Sequence, residues 1–165
     1  MKLIAAVDHN WAIGKDGKLL VRLSEDMKHF RKITEHHVIV MGRKTLESFP
    51  NKKPLPNRIN IVMTTQADYH ADNAIIVHSK QELLSLLDNY NTNDIYIIGG
   101  ESIYNMLIDD CDEACITYIR NTYEADTWFP NLDIHPDWQL QEQSFRYIEN
   151  DIIYCFKTYR KTGGN

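Results

Sequence analysis

The sequence has no long hydrophobic run, and nowhere does it reach the ~18 consecutive apolar residues of a membrane-spanning helix. Its opening, Met1-Lys2-Leu3-Ile4-Ala5-Ala6-Val7, imitates a secretory signal. That apolar run stops at Asp8-His9-Asn10, short of the ~7–15 residues a signal core requires. Cysteine is scarce and odd in number: Cys111, Cys115 and Cys155 form no CxxC pair, and the first two have no histidine nearby. A disulfide framework and a zinc site are both disfavoured, and buried thiols in a reducing cytoplasm are expected. Basic runs are limited to short clusters around Arg43-Lys44 and Arg160-Lys161 on a chain of net charge −5, so a nucleic-acid partner has no electrostatic footprint. The seven histidines, His29, His36 and His37 among them, show no metal spacing and no partnered Ser or Cys, which leaves a hydrolytic triad without a basis. Internal repeats, low-complexity tracts and interdomain linkers are also missing. A single domain over residues 1–165 is therefore expected.

What is present is an alternation. Short apolar, β-rich runs occur at residues 3–7, 38–41, 59–63, 74–77, 95–98 and 115–119, with two more near the end at 138–145 and 152–159. The earlier runs are apolar throughout, as expected of strands buried on both faces. Helical spacing appears between runs at 25–34, 44–48, 80–87 and 102–108. Strand-helix alternation predicts parallel strands joined by crossovers, and the last two runs, with no helix between them, predict an antiparallel hairpin at one edge. Ser79 ahead of Lys80-Gln81-Glu82 supplies an N-cap and a capping-box Glu. The Pro-rich stretch 50–56 reads as a surface loop, and the tail Lys161-Thr162-Gly163-Gly164-Asn165 as a frayed end.

Three constellations could carry chemistry. With Ser24 as N-cap, Glu25 and Asp26 fall in a first helical turn, where Phe30 lies about 40° from Asp26 and Ile33 about 20° on its other side. Asp26 thus shares the buried stripe, while Glu25 and Lys28 point toward water. The spacing is explained equally well by a carboxylate complementing the helix dipole or by a proton-handling group with a pKa raised by burial. Second, two strand runs end in glycine and enter a helix, at Gly42-Arg43-Lys44-Thr45 and at Gly99-Gly100-Glu101-Ser102. Such turns place free N–H groups where phosphate can approach, although neither matches the Walker or GxGxxG pattern. Third, the prolines of Pro54-Leu55-Pro56-Asn57-Arg58 fix a loop that can aim Arg58 at a carboxylate. Taken by itself, that segment is better explained by a solvated loop-end arginine.

These pieces, taken in order and over essentially the whole chain, resemble the bacterial chromosomal-type dihydrofolate reductase family. The residues that carry the resemblance are Leu3-Ile4-Ala5-Ala6 with Ile13-Gly14, Asp26 and Phe30, Val40-Met41-Gly42-Arg43-Lys44-Thr45 with Glu47-Ser48, and Pro54-Leu55-Pro56-Asn57-Arg58 with Asn60. Ile98-Gly99-Gly100 with Tyr104, Thr117, and Asp126-Thr127 with Phe129-Pro130 continue it. The resemblance implies an α/β fold with a mostly parallel eight-stranded sheet, flanking helices and an antiparallel C-terminal edge. It implies NADPH-dependent reduction of dihydrofolate, with antifolate small molecules as further ligands, by a cytoplasmic monomer. Asp26 is then the ionisable group of the pteridine pocket and Thr117 its support. Ile4, Ala6, Leu19, Met27, Phe30, Phe49 and Leu55 line the substrate site, and Arg58 holds the α-carboxylate of the glutamate tail. Ala6, Ile13, Gly42, Ile98 and Tyr104 flank the cofactor, and Arg43, Lys44, Thr64 and Thr65 meet its adenosine end, Arg43 and Thr64 taking the 2′-phosphate. Thr45 with Gly99, Gly100, Glu101, Ser102 and Ile103 binds the pyrophosphate, and the Gly99-Gly100 peptide is expected to be cis.

The chain departs from the family pattern in places. Leu20-Val21 stands where Pro-Trp is usual, Ser24 where Pro is common, and Ser102 where some relatives carry Arg; the loop at 49–53 is slightly long. These changes bear on water arrangement and inhibitor sensitivity, not on the reaction. Two rivals remain: a pyrimidine or pterin reductase of the same superfamily, and a nucleotide-binding module without catalysis. The Arg58 loop argues against the first, and the Asp26, Thr117 and Tyr104 set against the second.

Overall fold

The computed structural model describes residues 1–163. Gly164 and Asn165, part of the tail read as frayed, lie outside the described residues. In chain order the elements are β1 (Lys2–Val7), β2 (Ala12–Lys15), β3 (Lys18–Leu19), α1 (Ser24–Thr34), β4 (Val38–Gly42), α2 (Arg43–Glu47), β5 (Ile59–Met63) and β6 (Ala74–Val77). They continue with α3 (Lys80–Leu87), β7 (Ile95–Gly99), α4 (Glu101–Leu107), β8 (Glu113–Ile119), β9 (Thr127–Trp128), β10 (Trp138–Gln143), β11 (Tyr147–Glu149) and β12 (Ile152–Lys161). The main sheet runs β10-β12-β8-β1-β7-β4-β5-β6, which is the eight-stranded path the sequence implies. From β8 to β6 the pairings are parallel, whereas β12 is antiparallel to both β8 and β10. A ninth short strand, β11, pairs with the start of β12, and β3-β2-β9 form a small separate sheet. All four of these strands have two to four residues, too few for a periodic signal.

Period-two alternation sorts the strand residues into two cores. Leu3, Val38, Val40, Ile61, Ile95 and Ile97 meet Leu83 and Leu87 of α3 and Ile103, Tyr104 and Leu107 of α4. Their neighbours Ile4, Ile39, Met41, Val62 and Tyr96 meet Leu46 of α2 and the half-buried Phe30 and Ile33 of α1. The central strands are buried on both faces as expected. Strand β6 is not: it is an edge strand, and Ile75 remains 39% exposed.

Helix ends show what is local and what is not. Ser79 caps α3 as read, accepting a hydrogen bond from the Glu82 N–H at 3.1 Å; the Glu82 carboxylate reaches the N–H of His78 (2.8 Å). Ser24 is not a cap. It is the first residue of α1, after an N-cap at Leu23 that makes no side-chain bond. The start of α1 is held instead by Glu149, whose carboxylate accepts from the Ser24 N–H (2.8 Å) and hydroxyl (2.6 Å). Glu149 lies 125 residues away, so no local pattern could announce it. Lys161 also differs from its reading as frayed: it ends β12 opposite Trp138 and donates to the Asp109 carbonyl at 2.8 Å. No helix among the described residues is long and apolar enough to cross a membrane.

The burial contrast gives a direct test of the layered core. Ile61→Ala, at a position with no exposure, is expected to cost ~2–5 kcal/mol in urea unfolding. Ile75→Ala on the edge strand is expected to cost less than ~1.5 kcal/mol, because much of that side chain already meets water.

Candidate active site

Parallel strands deliver their carboxyl ends to one rim of the sheet, and at a switch in strand order the connections diverge and leave a crevice. Here the chain leaves β1 by way of α1 toward β4, and leaves β7 by way of α4 toward β8. Strands β1 and β7 are neighbours, so their loops depart in opposite directions. The helices lie on opposite faces of the sheet, as the two cores require.

On the α1 face, Asp26 sits in the first turn and its carboxylate accepts a hydrogen bond from the Thr117 hydroxyl at 2.5 Å. Thr117 is buried on β8, in register with Ala6 of β1 and Phe156 of β12. Burial raises the Asp26 pKa above its ordinary value; the Thr117 hydrogen bond opposes that rise, and the Glu149 charge adds to it. His29, one turn on, stacks against Phe156 with ring centroids 4.1 Å apart. Burial, then repulsion from Lys32, lowers the His29 pKa, which favours the neutral ring against Phe156. Ile4, Phe30, Phe49 and Leu55 belong to one apolar cluster, and Ala6 joins the adjoining one with Leu23. Met27 and Leu19 are 42% and 56% exposed, so they belong to the rim. Arg58 makes no ion pair among the described residues; its guanidinium lies 5.9 Å from the Phe30 ring centroid, and its buried Nε has no hydrogen-bond partner. Asn60 fixes this loop by accepting from the Leu55 N–H (3.1 Å) and donating to the carbonyls of Leu55 (2.9 Å) and Arg58 (3.2 Å).

The two glycine bends lie side by side. Strands β4 and β7 pair, with Met41 opposite Gly99, and a Cβ on Gly42 would come within 3.2 Å of Ile103. The Gly99-Gly100 peptide is cis, as the resemblance implies. Gly99 has φ 128°, and a Cβ there would stand 3.2 Å from the Tyr104 hydroxyl, so a side chain is both strained and crowded. That hydroxyl is buried and donates to the Ile4 carbonyl at 2.6 Å, tying the bend after β7 to β1. The nearest atom to a Cβ on Gly100 is the Thr45 hydroxyl oxygen, at 3.6 Å. At the start of α4 the N–H groups of Ile103 and Tyr104 return to the Gly100 carbonyl, and the Ile103 side chain is in the core. Glu101 accepts from the Trp128 N–H (3.3 Å), and Ser102 is exposed. Ile98 and Ile13 are half-buried, each against one of the two large cores. Farther out, Arg43 pairs with Glu47 at 2.8 Å, Lys44 and Thr65 are exposed, and the Thr64 hydroxyl accepts from the Gln66 N–H (3.1 Å).

Sequence reasoning missed the carboxylates that hold the surrounding loops. Asp8 is fully buried and accepts from the N–H groups of Asn10 (2.8 Å), Ala12 (3.0 Å) and Tyr123 (3.0 Å). Asp126 accepts from the Asp16 N–H at 2.9 Å. An acid directly after an apolar strand, as at Asp8, was the one available signal. His78, whose ring nitrogen is 2.8 Å from the Thr64 carbonyl oxygen, had none.

Known proteins resemble this chain over nearly its whole length. A family model described as dihydrofolate reductase matches residues 1–161. The chain is 36% identical over 163 residues to the dihydrofolate reductase of Bacillus subtilis strain 168, covering 98% of this chain and 94% of that protein. It is 37% identical over 175 residues to a bifunctional dihydrofolate reductase-thymidylate synthase from Daucus carota, covering 96% of this chain and 33% of that longer protein. Among solved structures, dihydrofolate reductase from Enterococcus faecalis complexed with NADP(H) and RAB-propyl superposes with a TM-score of 0.87 at 34% identity, covering 98% of this chain and 96% of that one.

A buried acid with a raised pKa holds its proton more tightly in the folded chain than in the unfolded one. Stability therefore falls as pH rises from the ordinary carboxylate range through the folded pKa, and the penalty persists above it. Asp26→Asn is expected to raise the thermal midpoint at neutral pH and to lose that advantage in acid, read by calorimetry across pH. Tyr104→Phe is expected to cost ~1–3 kcal/mol in urea unfolding, because the buried Ile4 carbonyl loses its side-chain donor.

Proposed function

Because the chain belongs to the dihydrofolate reductase family, we propose that it is an NADPH-dependent oxidoreductase reducing dihydrofolate to tetrahydrofolate for one-carbon metabolism. It acts as a cytoplasmic, single-domain monomer, and antifolates bind at the substrate pocket. One observation carries the reading: a lone carboxylate, Asp26, is sequestered with Thr117 on the strand next to the one that faces the paired glycine bends.

The residues present suit a dinucleotide. Gly99 and Gly100 leave the bend without side chains, Thr45 lies against it, and the N–H groups of Glu101 and Ser102 are free of helix bonding at the start of α4. These groups, with Gly42, Ile98 and the backbone of Ile103, hold the pyrophosphate. Arg43, oriented by Glu47, acts with Thr64 on the 2′-phosphate, and Lys44 and Thr65 flank the adenosine. Ala6, Ile13 and Tyr104 border the nicotinamide. Bound NADPH supplies the hydride, delivered from its nicotinamide C4 to C6 of the pterin.

The chain's own residues do the rest. Asp26 accepts hydrogen bonds from the pterin 2-amino group and N3, and Thr117 fixes the orientation of its carboxylate. Its charge, little screened in an apolar pocket, raises the basicity of N5; a water delivers the proton, since the acid itself sits on the other side of the ring. Ile4, Ala6, Phe30, Phe49 and Leu55 clasp the ring system, and Leu19 and Met27 close the rim. Arg58, held over Phe30 with an unpartnered Nε, takes the α-carboxylate of the glutamate tail. Val21 packs into the cluster with Leu23, Ile119 and Tyr154, so the water that a tryptophan indole would hold at that position needs another partner.

The test follows loss of NADPH absorbance with dihydrofolate as the added substrate. Turnover supports the reading, and binding of NADPH without turnover on any pterin or pyrimidine overturns it. Asp26→Asn is expected to lower the hydride-transfer rate at neutral pH by on the order of 10²-fold, with activity recovering as pH falls. Full rate at every pH would sink the role assigned to Asp26. Arg58→Leu is expected to raise KM about 10–100-fold for dihydrofolate and to leave KM unchanged for a reduced pterin without the glutamate tail.

A further inference from the structure

Strand geometry sends alternate residues of β8 to opposite faces, so Tyr118 faces away from the site that Thr117 serves. Around it lies a groove of about 560 Å³ lined by His9, Tyr118, Arg120, Asn121, Thr122 and Lys157. Three basic side chains line it from three segments: His9 from the β1–β2 loop, Arg120 from just past β8, and Lys157 from β12. The groove is preorganised. The His9 ring nitrogen lies 2.8 Å from the Tyr118 hydroxyl, the Lys157 ammonium stands 3.9 Å from the Tyr118 ring centroid, and the His9 N–H donates to the Asn121 carbonyl (2.9 Å).

The charge balance there is unusual for this chain. Acids outnumber bases, 23 to 18, yet no carboxylate lines the groove, and neither Arg120 nor Lys157 forms an ion pair among the described residues. Nearby acids are committed elsewhere. Asp8 spends its oxygens on three backbone N–H groups, and Asp133 accepts from the Tyr159 hydroxyl at 2.7 Å. Two cations without an acidic partner, lining one groove, attract a counter-charge. The Asn121 amide and Thr122 hydroxyl add uncharged donors beside them.

We propose that this groove binds a compact phosphoryl polyanion, inorganic pyrophosphate or the diphosphate end of a small metabolite, on the face of the sheet opposite Asp26. Tetrahedral oxyanions offer acceptors in several directions and so meet donors from three segments, whereas a monocarboxylate offers its acceptors in one plane. A bound polyanion bridges the β1–β2 loop to the segment after β8, the two segments that Asp8 already clamps.

The experiment titrates the full chain with sodium pyrophosphate at constant ionic strength, reading backbone amide shifts and heat. The expected result is a saturable site with shifts at residues 9, 118 and 120–122. Arg120→Ser and Lys157→Met, the latter keeping its apolar stem over Tyr118, each weaken it by about tenfold, the size of one charge-assisted hydrogen bond. Sodium acetate gives no saturable shift. The proposal is overturned if pyrophosphate gives none either, if its shifts are confined to residues 42–45 and 99–102, or if both variants, folded by their thermal midpoints, bind as the parent chain does.

Discussion

A largely buried carboxylate held against one hydroxyl is the contact on which the site depends. Asp26 and Thr117 are 91 residues apart, and their hydrogen bond forms only because α1 lies across the face of β8. Three independent features hold α1 there: Phe30 and Ile33 in the apolar cluster, His29 stacked on Phe156, and the Glu149 carboxylate on the helix N-terminus. Glu149 does two things at once. It satisfies a backbone N–H that α1 cannot bond internally, and it places negative charge near Asp26 that supports the raised pKa.

Topology then decides what the acid faces. Strand β7 is inserted between β1 and β4, although dozens of residues separate it from both in sequence. That insertion brings the Gly99-Gly100 bend beside Gly42 on one flank and beside β1 on the other, where Tyr104 ties it to Ile4. The acid-bearing pocket and the paired glycine bends consequently share β1 as a common wall. A glycine-lined backbone bend and a largely buried carboxyl group become parts of one crevice.

An acidic chain also uses its carboxylates as clamps. Asp8, Asp126, Glu101 and Glu149 each accept from backbone N–H groups of a distant loop or helix start. The small β3-β2-β9 sheet is assembled in the same way, and it demands close approach: a Cβ on Gly14 would stand 2.9 Å from the Lys18 carbonyl oxygen. Committing acids to backbone leaves some cations unanswered. Arg58 in the pocket and Arg120 with Lys157 across the sheet are the clearest cases.

Sequence alone determined the features that arise within a few residues. Apolar runs at 38–41, 59–63, 74–77 and 95–98 announce the parallel strands, Ser79 announces the start of α3, and the order of motifs around Asp26, Gly42, Arg58, Gly99 and Thr117 announces the family. Such signals are local because backbone preference and side-chain periodicity act over one or two turns of chain. Tertiary structure alone decided that Glu149 and not Ser24 caps α1, that Ile103 turns its side chain into the core, and that Asp8 anchors two loops. The pairings with Glu149 and Asp8 join groups more than 100 residues apart, and the core that receives Ile103 is assembled from strands and helices across the chain. The Arg43–Glu47 pair, by contrast, is a local contact within α2. A buried carboxylate takes whichever donors the fold delivers to it, and that delivery depends on strand order, which no short stretch of sequence contains.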